Sequence, residues 1–177
     1  MAITIDGAGS ISGISAGGLP DASITQAELA TGVAGTGPAF SAVFSSGSQS
    51  ISINTATKIQ FPTEEFDTAS CYDTTNYRFT PTTAGYYQVS TAVQFGGSVT
   101  SFTSATLFIY KNGSSFKRMY VGSTSYGQAP ALSALIYLNG STDYVEVYGT
   151  VSGLSGSPAI NAGEAITYFQ AALVRSA

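Results

Sequence analysis

From Phe40 onward apolar and polar residues alternate with a period of two, a pattern that suits pleated sheet and little else. Tyr87, Val89, Thr91, Val93 and Phe95 fall on one face, and Tyr86, Gln88, Ser90, Ala92 and Gln94 on the other, which predicts one half-buried strand. Asn112-Gly113 separates the apolar run 107–110 from 116–120, and Asn139-Gly140 separates 135–138 from 144–148. Asn-Gly accepts the positive φ of tight turns, so both spacings predict hairpins. Further strands are expected over 39–45, 49–53, 57–61, 77–80 and 165–174, with no amphipathic helix among them. Eight to ten short strands over roughly 140 residues indicate an all-β fold, an antiparallel two-sheet sandwich, jelly roll or barrel.

Composition agrees. Of 177 residues 44% are hydrophobic, enough for a packed core, and only 9% are charged. Ser and Thr number 46, so the surface is built mostly from hydroxyls, which strands carry better than exposed helices. A net charge of −4 has the wrong sign for a phosphate-binding footprint, and nucleic acid is not an expected partner. The chain has no His, and Cys71 is its single cysteine, which excludes an intrachain disulfide, a Cys/His zinc site and imidazole chemistry. Neither a basic start followed by an apolar stretch nor a run of about 18 apolar residues occurs, so a soluble, cytoplasmically made chain without membrane contact is expected.

All Phe and Tyr lie at Phe40 or later, whereas residues 1–38 hold eight of the 20 Gly. Such a segment cannot offset its ordering entropy, about 1 to 2 kcal/mol per residue, without apolar surface from elsewhere. Residues 1–38 are therefore read as an extended arm that orders on a partner, through Ile3, Ile5, Ile11, Ile14, Leu19, Ile24 and Leu29, and residues 39–177 as the folded domain. Within the arm, Ile3 and Ile5, the turn-like 6–9 stretch, Ile11 and Ile14 suggest a small hairpin. Thr25 and Glu28 have capping-box spacing, which predicts a short helix over 26–31.

Phe61, Asp67, Tyr72, Phe79, Gly85 and Tyr87 stand at intervals of six, five, seven, six and two. This spacing resembles the signature of the globular head of complement component 1 subunit q, within the tumour-necrosis-factor-like jelly-roll superfamily. Phe79-Thr80-Pro81 followed by Ala84-Gly85-Tyr86-Tyr87 is its most specific piece; Val89 and Thr91 depart from it, standing where the signature has aromatics. The resemblance covers residues 39–177 and implies a ten-stranded jelly roll assembled as a homotrimer. The residues agree with self-association: Leu107 and Ile109 alternate with Phe108 and Tyr110, and Phe169, Ala171 and Leu173 with Tyr168, Ala172 and Val174. One face of such a strand packs the sandwich. The other needs cover, supplied most simply by identical neighbours in a head-to-tail ring. The arm lacks the collagen period of three; its 2–7 and 18–25 segments look instead like leader segments of tailed-phage virion and fibre proteins.

Glu64, Glu65, Asp67 and Asp73 crowd one segment; Glu64, Glu65 and Asp73 are weak calcium candidates and Asp67, a signature position, is given a structural role, but the spacing matches no calcium-loop motif and a solvated acidic loop is expected. No other cofactor is expected. Carboxylates are too few to single out a glycosidase pair, and without His a Ser-His-Asp relay cannot form, so the chain is read as non-enzymatic. Tyrosine suits sugar and protein recognition, and Tyr120, Tyr126, Tyr144 and Tyr148 are the candidate surface, with core or subunit-interface filling as the competing role. The expected protein is a trimeric short fibre or decoration knob on a virion surface, docked to a capsid or tail protein by residues 1–38. The alternatives are a tail-fibre tip binding host glycan or protein, and a secreted bacterial adhesin or ligand.

Overall fold

The computed structural model describes residues 4–5, 11–12, 37–99, 102–124, 128–153 and 156–177. The chain divides into two compact units, Met1–Ala30 and Thr31–Ala177. In the first, β1 (Thr4–Ile5) pairs antiparallel with β2 (Ile11–Ser12), Ile5 opposite Ile11, which is the small hairpin expected there. The expected helix over 26–31, with Ile3, Ile14, Leu19, Ile24 and Leu29, lies outside the described residues.

The second unit contains β3 (Ala39–Val43), β4 (Ser48–Ser50), β5 (Thr57–Lys58), β6 (Thr63–Asp67), β7 (Tyr72–Asp73), β8 (Arg78–Phe79), β9 (Ala84–Ala92), β10 (Gln94–Val99), β11 (Phe102–Lys111), β12 (Ser114–Thr124), β13 (Ala131–Asn139), β14 (Val145–Gly153), β15 (Gly156–Asn161) and β16 (Tyr168–Ser176). A five-stranded sheet runs β13-β9-β16-β3-β6, and a second runs β12-β11-β14-β8-β7 with β5 also on β14. A small third sheet, β10-β15-β4, continues from one end. All of these ladders are antiparallel, and the two large sheets enclose one core, so the fold is an antiparallel jelly-roll sandwich.

Aromatic residues from both sheets meet at its centre. The Phe40 ring stacks on Tyr72 at 4.8 Å and on Phe79 at 4.6 Å, and meets Phe169 edge-on at 4.9 Å. Phe79 in turn lies 5.5 Å from Tyr87. Their two phenols are not wasted inside: Tyr72 donates to the Phe61 carbonyl and Tyr87 to the Thr83 carbonyl. Burial, acting first, pushes both phenols well above their ordinary pKa, so they remain donors. Asp67 accepts from the amides of Ala69 and Tyr72, closing the turn that delivers Tyr72 to the cluster.

Several expectations are corrected by the ladders. The single strand through Tyr87–Phe95 is two: β9 ends at Ala92, opposite Ala131 where β13 begins, and Pro130 just before it has no N–H to extend the ladder and only accepts from the Val93 amide. Asn112-Gly113 does form a tight hairpin, with φ of 52° and 75°. Asn139-Gly140 does not. Its flanking strands belong to different sheets, and Asn139 Oδ1 instead accepts from the amides of Ser141, Thr142 and Asp143, shaping a crossover loop. The expected acidic loop is β6, an edge strand exposed on both faces, whose lack of alternation hid it. Residues 165–167 form a turn on the Gly163 carbonyl before β16 begins. β15, with the sequence GSPAIN, carries no strand-like composition and was not anticipated.

Asp143 ties the crossover loop to the hairpin, accepting from Asn112 Nδ2 at 2.8 Å and pairing with Lys111 at 2.8 Å. The Lys111 hydrogen bond, then that of Asn112, holds its carboxyl below the usual range. Between the unfolded value near 4 and this lower folded value the unfolded chain binds more protons, so stability falls as pH drops through that window. Denaturation measured across it should show a smaller loss for Asp143→Asn than for the parent chain. Phe40→Ala should cost about 3 to 5 kcal/mol in urea denaturation, since it leaves a cavity against three rings.

Candidate functional site

Every second side chain of the five-stranded sheet points away from the core, and this open face is where exposed apolar surface collects. Along β9 Gly85, Tyr87 and Val89 are buried while Tyr86 and Gln88 are exposed; along β13 Ile136 and Leu138 are buried while Leu135 and Tyr137 are exposed. Leu135 is 55% exposed, Phe66 51% and Val174 49%, with Tyr86 and Tyr137 at 42% and their rings 5.5 Å apart. Tyr86, Leu135 and Tyr137 form an apolar group on this face, with Phe66 at its opposite edge.

The face is not uniform. Its β13 side is raised by Tyr86, Leu135 and Tyr137, whereas toward β6 the small side chains of β3, β9 and β16 leave a hollow of about 210 Å³, lined by Phe66, Gln88, Ser90, Gln170 and Ala172. Between them Gln88 Nε2 donates to Ser133 Oγ, which lies 3.1 Å from Ser90 Oγ, so the polar stripe is internally satisfied.

The outer face of the second sheet carries a different group. Registers place Arg118, Phe108 and Tyr148 side by side across β12, β11 and β14, with Tyr120 opposite Thr106 in the next rows. Tyr110 stacks on Tyr148 at 4.1 Å, and Phe108 meets Tyr110 edge-on at 5.8 Å. Beneath them Glu146, 4% exposed, is neutralised by Lys58, whose ammonium also lies 6.0 Å from the Tyr148 ring centre. Burial first, then the Glu146 charge, raises the Tyr148 phenol pKa.

The four tyrosines singled out in the sequence therefore do not form one cluster. Tyr120, 63% exposed, and Tyr148 share this outer face; Tyr144 sits at the crossover loop with the Arg78 guanidinium 4.9 Å from its ring; Tyr126 lies outside the described residues. Of the signature positions, Phe61, Tyr72, Phe79 and Tyr87 fill the core, Gly85 is buried on β9, and Asp67 builds its turn. Phe66, Tyr86, Leu135 and Tyr137 are not among the residues selected from sequence, although Tyr86, Leu135 and Tyr137 are each out of phase with the core-facing positions of their strands; β6 has no such alternation to mark Phe66.

The acidic candidates do not converge. Glu65 accepts from Ser41 Oγ at 2.6 Å, Asp67 holds its turn, and Asp73 accepts from the Thr75 and Asn76 amides and from Asn76 Nδ2, which lowers its pKa. Among the described residues no three acidic or Cys side chains come together as a metal would require. Cys71 is buried.

No family model matches the chain, and no curated protein matches it in sequence. Solved structures do. The globular domain of zebrafish complement 1qA protein superposes with a TM-score of 0.58 at 15% identity, covering 79% of this chain and 99% of its own. The Eiger TNF from S. frugiperda gives 0.58 at 12%, covering 79% and 95%, and murine APRIL 0.59 at 10%, covering 77% and 98%. The fold is thus the jelly roll of complement 1q and tumour-necrosis-factor proteins.

Lys58→Met should destabilise the protein by about 3 to 5 kcal/mol, because it strands a buried carboxylate, while Lys58→Met with Glu146→Leu should recover most of that loss in thermal denaturation.

Proposed function

We propose that this chain is a non-enzymatic display knob that self-associates as a homotrimer through the open face of its five-stranded sheet. The observation that carries the reading is that face: Phe66, Tyr86, Leu135, Tyr137 and Val174 stand exposed on one surface that nothing in the described body covers. A raised β13 side and a hollow toward β6 are unlike halves, so one copy's ridge fits the next copy's hollow. Contacts of that head-to-tail kind do not make a twofold pair, and they close into a three-membered ring when each copy is turned by a third of a revolution.

In this reading residues 1–38 dock the knob to a capsid or tail protein of a tailed phage, and the knob stands at the virion surface as a short fibre or decoration. The likeness of its 2–7 and 18–25 segments to phage leader segments and its lack of aromatic residues support the arm's role. A second reading, a tip that binds host glycan or protein, is favoured by Phe108, Tyr110, Tyr120 and Tyr148, which lie on the opposite sheet and stay free when the open face is covered.

Sedimentation at micromolar concentration should give three subunits, and deletion of residues 1–38 should leave that trimer folded but unable to join particles. A folded single subunit would remove the self-association, and a truncated chain that still joins particles would remove the docking arm.

A further inference from the structure

The sandwich carries charges of opposite sign on its two flanks. On one, β6 is the last strand of the five-stranded sheet and presents Glu64 and Glu65 beside the half-exposed Phe66. On the other, β12 is the last strand of the second sheet and presents Lys117 and Arg118 between Phe116, 40% exposed, and Met119 and Tyr120. β12 runs beside β13, the strand at the far edge from β6, so the basic strand and the apolar ridge share one flank.

Most other charges in the body are engaged with one another or in turns, whereas of these four Glu65 accepts only from Ser41 Oγ and Lys117 lies 5.2 Å from the centre of the neighbouring Phe116 ring. Lys58 pairs with Glu146 and Lys111 with Asp143; Arg78 covers Tyr144; Asp67 and Asp73 hold turns. Among the described residues Glu64, Glu65, Lys117 and Arg118 have no ion-pair partner, as is also true of Glu164 and Arg175 away from these two strands. Charge on an edge strand also blocks stray strand pairing, but a single sign on both edges would serve that purpose as well. Opposite signs do something further: they repel like edges and draw unlike edges together.

We propose that β6 of one copy meets β12 of the next, Glu64 and Glu65 facing Lys117 and Arg118, and that this pairing fixes the direction of the ring contact. It rests on the self-association proposed above. The ridge of one copy then covers the neighbour's hollow, and the basic strand beside the ridge reaches the acidic strand beside the hollow.

The test is a dilution series of the full chain by sedimentation, with the fold checked by thermal melting. E64K/E65K and K117E/R118E should each raise the concentration of half-dissociation by roughly tenfold or more, and the chain with all four substitutions should return close to the parent value. Silent reversals in a trimeric parent, or a folded four-fold variant as dissociated as the double ones, would overturn the pairing while leaving the trimer. A parent chain that is a single subunit at every concentration would overturn both.

Discussion

Two sheets are held in one body by a stack of rings that neither sheet could assemble alone. Phe40 comes from β3, Phe169 from β16 and Tyr87 from β9, all on the five-stranded sheet, whereas Tyr72 and Phe79 come from β7 and β8 on the other. Offset and edge-on contacts of this kind add about 0.5 to 1.5 kcal/mol per pair beyond the area they bury. They also dictate local chemistry. The two phenols inside need carbonyl acceptors, and the turn closed by Asp67 exists where Tyr72 must be aimed inward.

Much of this centre was legible in the sequence because Tyr72, Phe79 and Tyr87 stand at fixed intervals within one short stretch of chain. The alternation of β9 and β13, and the Asn112-Gly113 turn, were legible for the same reason: each depends on neighbours within a few positions. What failed depended on distant partners. Nothing near Val93 announces that its ladder stops, since the residue it meets, Pro130, lies far along the chain, just before β13. Asn139-Gly140 reads locally like Asn112-Gly113, yet the strands on either side of it lie in different sheets, β13 on β9 and β14 on β11. The apolar face was half legible: Ala172 and Val174 were recognisable as the second side of an apolar strand, while Phe66 was hidden inside what looked like an acidic loop.

Scarcity of charge shapes the surface as much as the aromatic centre shapes the interior. With hydroxyls covering most of the sheets, each ion pair has an individual place: Lys58 with Glu146 under the outer aromatic rows, Lys111 with Asp143 at the crossover loop. The first is largely enclosed and sets the polarity of the aromatic face; the second joins two loops that belong to different sheets. A body with so few charges can assign unlike signs to its two flanks without internal conflict.

The backbone enters and leaves the sandwich at one pole. The Pro38 carbonyl accepts from Leu173, and the Ala177 amide donates to Ala84, beside the crossover loop. The small β10-β15-β4 sheet lies at the opposite pole, where β9 ends and β13 begins. Fusions grafted before Gly37 or after Ala177 would thus sprout from a common base, leaving that little cap sheet as the natural place for an inserted label meant to sit far from both.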